Sequence, residues 1–89
     1  MNSEFQKVSP NSAKSDKGFI VTWRPAGGVD YSDANGVIRV DSELLVKPLR
    51  VLVYPRSGNL KTMTDERAEE VLRDVIRALE YLGHQVERW

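Results

Sequence analysis

The sequence predicts an α+β fold: a mostly antiparallel β-sheet of four to five strands with one long C-terminal amphipathic helix on one face. Three observations support this prediction. Residues 65–82 carry an apolar stripe of helical periodicity, short alternating segments precede it, and turn residues separate those segments. Because a run of strands is followed by one helix and a last strand, we expect the order β-β-β-β-α-β, which is typical of α+β domains.

The predicted helix covers residues 65–82 and sets the fold. Thr64 precedes it and is a good N-cap, while Asp65 and Glu66 place negative charge at the positive end of the helix dipole. Gly83 suits the C-terminal end. The apolar stripe should cover the sheet; its residues are Ala68, Val71, Leu72, Val75, Ile76, Leu79 and Leu82.

The predicted strands are residues 19–24, 29–31, 37–41, 49–54 and 85–88. In the first strand, Phe19, Val21 and Trp23 alternate with more polar residues, so we expect these three to form its buried face. The strand at 49–54 has apolar residues on both faces and is therefore placed centrally. Residues 41–43 are interpreted as a turn, and the apolar segment after them ends at Pro48 because proline cannot donate to a ladder.

The chain is expected to divide at residue 17. Residues 1–17 are mostly polar, with Phe5 and Val8 as the sizeable apolar residues after the start, so they are predicted to be a disordered tail. Residues 18–89 are then one α+β domain, which suits a chain of 89 residues. Whether Phe5 docks on this domain is left open.

Charge and composition narrow the classes of function. Lys and Arg number 13, and Asp and Glu number 13, so the chain is neutral. That balance argues against general nucleic-acid binding and against a polybasic membrane anchor. There is no cysteine, no apolar run near the roughly 20 residues that cross a bilayer, and no secretory signal pattern at the start. We therefore expect a cytoplasmic protein.

The sequence offers little catalytic or metal chemistry. His84 is the single histidine, and its position after Gly83 favours a role in ending the helix or in the last strand. Asp30, Asp33 and Asn35 superficially resemble a calcium loop, but a hairpin turn explains them better. We predict a non-enzymatic protein with no catalytic, cofactor or metal-binding residues.

Aromatic and arginine side chains indicate a partner-binding surface instead. A sheet covered by one helix leaves its other face partly open, and tryptophan, tyrosine and arginine contribute most to affinity at protein interfaces. The predicted partner-binding residues are Trp23, Arg24, Tyr31, Tyr54 and Arg56. Core packing remains an alternative for Trp23 and Tyr54, and a dimer contact remains an alternative for the surface.

Three stretches resemble a known family. They are the hairpin strand at 36–40, the strand at 50–55, and the segment that starts at 63–67 and continues through 76–87. Together they are similar to the small bacterial immunity proteins grouped as the immunity protein 74 family. The resemblance covers about the last two-thirds of the chain. It implies a β-sheet-plus-helix fold and a role in neutralising a toxin of a bacterial polymorphic toxin system.

Two functional hypotheses follow. The first is an immunity protein that binds a cognate toxin and neutralises it by occlusion. The second is a small homodimeric or nucleic-acid-binding module, of which the nucleic-acid form is disfavoured by the neutral charge.

Overall fold

The computed structural model describes residues 4–89 and has the predicted α+β architecture. Its strands are β1 (Phe5–Ser9), β2 (Ser12–Ser15), β3 (Ile20–Arg24), β4 (Gly28–Asp33), β5 (Gly36–Val40), β6 (Ser42–Leu45), β7 (Arg50–Val53) and β8 (Val86–Arg88). The helix α1 spans Asp65–Tyr81, after a short 3-10 helix at Gly58–Thr62. The first sheet has the antiparallel order β1-β2-β3-β4-β5, and the second has the order β6-β7-β8 with β7 and β8 parallel.

The helix α1 confirms the prediction for residues 65–82 to within one residue. The Thr64 hydroxyl accepts a hydrogen bond from the Arg67 amide at 3.2 Å, and Gly83 takes a φ of 98° just after the helix. The apolar stripe is buried or partly buried along its whole length. The fully covered helix residues are Ala68, Val71, Leu72, Val75, Ala78 and Leu79.

One core lies between α1 and the inner faces of both sheets. Phe19, Val21 and Trp23 are buried, which confirms the predicted inward face of that strand. In the second sheet Val51 and Val53 face the same core. Because both sheets contribute to one core, the two sheets and α1 form a single packing unit.

Residues 4–17 correct the prediction of a disordered tail at 1–17. They form the hairpin of β1 and β2, which continues the first sheet beside β3. Phe5 is buried against Phe19 and Tyr81, with ring centroids 6.1 and 5.5 Å apart. Ala13 lies where β2 passes close to α1, and its small side chain is fully covered there. The low apolar content of this segment therefore did not mean disorder. Residues 1–3 of the predicted tail lie outside the part of the chain that the structure describes.

The number of strands also differs from the prediction, because the chain builds two sheets. Residues 41–43 do not form a turn: only Asp41 separates β5 from β6, and its carbonyl accepts from the Tyr54 amide at 3.0 Å. One extended segment thus pairs with β4 on one side and then with β7 on the other. The strand expected to be central, now β7, is central in the second sheet.

The loop before α1 covers the outer edge of β5 at Arg39 and Asp41. The Ser57 hydroxyl accepts from the Asp41 amide at 2.9 Å, and the Asn59 side-chain carbonyl accepts from the Arg39 amide at 2.7 Å. Between them, Gly58 lies so close to β5 that a Cβ atom would be 2.2 Å from the Arg39 carbonyl oxygen. Only glycine fits this approach, and the loop satisfies amides that would otherwise lack partners.

Phe5→Ala should lower the free energy of unfolding by about 3 kcal/mol, because it leaves a cavity beneath α1. Val8→Ala is the matched control in the same strand, since Val8 is exposed, and should change stability by less than about 0.5 kcal/mol. Urea unfolding followed by circular dichroism measures both. Equal, small effects would show that β1 contributes nothing to the folded core.

Candidate functional site

The five predicted partner-binding residues do not form one surface. Trp23 and Tyr31 are 8% and 4% exposed and lie in the core beneath α1, so neither is available to a partner. Arg24 is exposed on the opposite face of the first sheet, because neighbouring residues of a strand point to opposite faces. Tyr54 and Arg56 belong to the second sheet and its following loop, and these two remain candidates.

Arg24 has a structural partner in the middle of the first sheet. The buried Asp30 carboxylate on β4 accepts from Arg24 on β3 at 2.8 Å and from Arg39 on β5 at 3.1 Å. The two arginines compensate for the burial of this charge. The arrangement ties three adjacent strands together.

Trp23 packs against His84, which lies just after the C-terminal end of α1. The two rings meet edge-on with centroids 4.3 Å apart, and the His84 amide donates to the Leu79 carbonyl at 3.0 Å. Within residues 4–89, the indole nitrogen of Trp23 and Nε2 of His84 have no hydrogen-bond partner. Burial lowers the pKa of His84 below its ordinary value of 6.5. Its contacts are those of a helix-end packing residue.

An aromatic groove lies at the end of the second sheet, and it is the candidate binding site. It has a volume of about 550 Å³. Tyr54 and Trp89 meet in it with ring centroids 6.1 Å apart, and Trp89 is 78% exposed. The residues of the aromatic groove are Asp41, Tyr54, Pro55, Arg56, Ser57 and Trp89.

The backbone and a few polar contacts position the aromatic groove. The Trp89 amide donates to the Val53 carbonyl at 2.9 Å, which continues the parallel pairing of β8 with β7 and places the indole beside Tyr54. The Tyr54 hydroxyl donates to Glu43 at 2.7 Å, and this hydrogen bond raises the pKa of Tyr54 above its usual 10. Arg56 pairs with Asp65 at the start of α1. Tyr54 is therefore held at its hydroxyl group, and Trp89 is held through its backbone while its ring stays exposed.

Apolar residues extend the aromatic groove along the outer face of the second sheet. Leu52 lies opposite Glu43 on β6 and Glu87 on β8, so the three residues share that face. Leu52 and Leu45 are only partly covered. At the rim, Arg50 and Glu87 form an ion pair of 2.8 Å. An apolar and aromatic centre with a charged rim is the usual composition of a protein-binding patch.

A second, more polar groove lies along the outer side of α1 and is the competing surface. Its volume is about 420 Å³, and Arg88 of β8 makes two hydrogen bonds of 2.8 Å to Glu69 across it. That contact lowers the pKa of the Glu69 carboxyl. Arg73 and Arg77 also line it, but no aromatic residue does, so it offers fewer anchoring groups than the aromatic groove.

Within residues 4–89, no group of three or more histidine, aspartate or glutamate side chains is placed to hold a metal ion. None of the helices described is both long and apolar enough to span a membrane.

No family model, curated protein or solved structure matches this chain. The resemblance to the immunity protein 74 family stays a prediction.

Stability should fall as the pH drops from about 7.5 to 5.5, because burial in the folded state lowers the pKa of His84 below that of the unfolded chain. Below pH 6.5 the unfolded chain binds a proton at this histidine that the folded chain resists, so protonation favours unfolding. His84→Phe keeps a ring against Trp23 without a titrating group and should flatten the melting temperature over this range. Parallel pH profiles for the two proteins would contradict the assignment.

Proposed function

We propose that this chain is a non-enzymatic binding domain that neutralises a protein partner by covering part of its surface. In line with the family resemblance, the proposed partner is a cognate toxin of a bacterial polymorphic toxin system, met in the cytoplasm. The observation that carries the proposal is the aromatic groove, where Tyr54, Arg56 and the highly exposed Trp89 lie together.

The chemistry of the aromatic groove suits an interface. Tryptophan, tyrosine and arginine are enriched among residues that dominate binding energy, and rigid rings lose little entropy when they are covered. An exposed tryptophan held by a backbone hydrogen bond to β7 is already placed for contact. The apolar stripe of α1 is buried in the core and is not available for this purpose.

Size also favours occlusion by the second sheet. A stable interface covers about 800 Å² on each partner, more than the groove alone supplies. The outer face of β6, β7 and β8 continues the groove with Leu45 and Leu52, so one flat partner surface would contact both. The Arg50–Glu87 pair would then lie at the edge, where charges remain hydrated.

The nucleic-acid alternative has weaker support. It relies on Trp23 and Tyr31 to stack on bases, and both rings are buried. Arg24 and Arg39, which lie on the exposed face of the first sheet, are paired with Asp30. Asp30 offsets one of these two positive charges, and both arginines lie on the sheet face opposite to the two rings, so rings and arginines cannot contact the same nucleotide.

The groove variant Tyr54→Ala with Arg56→Ala should lower affinity for the partner by about 30-fold or more, as expected when two anchoring residues are removed. The partner to use is a toxin encoded beside this gene, co-expressed in bacteria with growth rescue as the first readout. Calorimetry on the purified pair then gives the dissociation constant.

The matched control is Arg73→Ala with Arg77→Ala on the competing groove of α1, which should leave rescue and affinity nearly unchanged. Circular dichroism must show that both double variants remain folded. Loss of binding from the helix pair, with the groove pair unaffected, would move the site to α1 and refute the choice of the aromatic groove.

A further inference from the structure

The strand β6 has a free backbone edge. The Tyr54 amide bonds to the Asp41 carbonyl, so by alternation Glu43 and Leu45 face β7 while Ser42 and Leu44 direct their amides and carbonyls away from it. Within residues 4–89, no hydrogen bond reaches these outward groups. The turn between β3 and β4 packs through Gly28 against Val40 and Asp41, so the free edge begins after Asp41.

The other sheet edges are protected in recognisable ways. The edge strand β1 carries Lys7 and a bulge between Lys7 and Ser9, and both features disfavour pairing with another strand. At the edge formed by β5, side chains of the following loop bond the amides of Arg39 and Asp41. The strand β8 is three residues long, and two of them are charged. Strand β6 has no lysine, proline or bulge, and its one charged residue, Glu43, is bonded to Tyr54.

Exposed apolar side chains accompany this free edge. Leu44 is 39% exposed, and Val46 and Leu49, in the turn that joins β6 to β7, are each 64% exposed. Three large apolar residues in one short hairpin are more than a solvated turn requires, because turns are usually polar. Together with the open edge, they indicate a surface that another strand covers.

We infer that β6 pairs with β6 of a second copy of this chain, in an antiparallel register centred on Leu44, and so joins two three-stranded sheets into one of six strands. This inference goes beyond the proposed function. It concerns a different surface, since Trp89 follows β8 on the far side of β7 and stays uncovered by such a dimer.

The sequence of β6 fits a second copy in only one of the adjacent registers. Centring the pair on Leu44 places Leu44 opposite itself, Glu43 opposite Leu45, and Ser42 opposite Val46. Centring on Glu43 would set two carboxylates face to face, which is unfavourable. Centring on Leu45 would set Glu43 opposite Lys47, which lies in the turn with a φ of 68° and does not continue the strand. The chain is also neutral overall, so two copies do not repel each other strongly.

Sedimentation of the full chain over a concentration series tests the dimer. Twice the monomer mass should appear by roughly 100 µM, as expected for a small interface. Leu44→Lys puts two like charges opposite each other and should raise the dimer dissociation constant by about tenfold or more. Val37→Lys is the matched control, because Val37 is also an exposed apolar strand residue but lies on β5, and it should have no effect. Monomer at every concentration up to about 1 mM, or equal effects of both variants, would overturn the inference.

Single cysteines test the register, since the chain has none of its own. Directly opposed residues in a hydrogen-bonded pair have Cα atoms about 5.5 Å apart, which is within disulfide range. Leu44→Cys should therefore form a covalent dimer under mild oxidation. Glu43→Cys should not, because its counterpart lies two positions along the opposing strand. Equal cross-linking at both positions would exclude the proposed register. Neither experiment involves the toxin, so failure here leaves the aromatic groove to be judged by its own test.

Discussion

The contact between Gly58 and β5 is the constraint on which the two-sheet arrangement depends. A side chain at Gly58 would collide with the Arg39 carbonyl, and the flanking Ser57 and Asn59 bond the two amides that bracket this point. The chain passes from the first sheet to the second at Asp41, beside this loop. The end of β5 is therefore bonded on both sides at this junction, by the loop on one side and by β4 on the other.

The same junction shapes the candidate binding site. Ser57 accepts from the Asp41 amide and donates to the Tyr54 carbonyl at 2.6 Å, and all three residues line the aromatic groove. Arg56, between Tyr54 and Ser57, is held outward by its pairing with Asp65. The side of the groove opposite Trp89 is thus built from a loop whose backbone is already bonded. A surface that is ordered before binding loses less entropy when a partner covers it.

The sequence predicted the local parts of the fold well and the long-range parts poorly. Helix α1 and the inward face of β3 follow from periodicity, which depends on neighbouring residues alone. The β1–β2 hairpin was missed because its buried residues other than Phe5, which are Ser12, Ala13 and Ser15, are small and give little hydrophobic signal. For the binding site, the alternation of side chains along a strand already places Trp23 and Arg24 on opposite faces of the sheet. The sequence alone therefore excludes a single binding surface that contains both residues. The role of Trp89 depends on the parallel pairing of a three-residue strand, which no local pattern reveals.

Amide hydrogen exchange along β5 measures the junction directly. The amides of Arg39 and Asp41 face away from β4 and are bonded only to side chains of the loop, whereas the amide of Val37 faces the same way with no partner among residues 4–89. If the loop joins the two sheets as described, Arg39 and Asp41 exchange slowly while Val37 exchanges rapidly. Rapid exchange at all three amides would contradict the account, because the loop would then not hold the junction or the side of the aromatic groove that it forms.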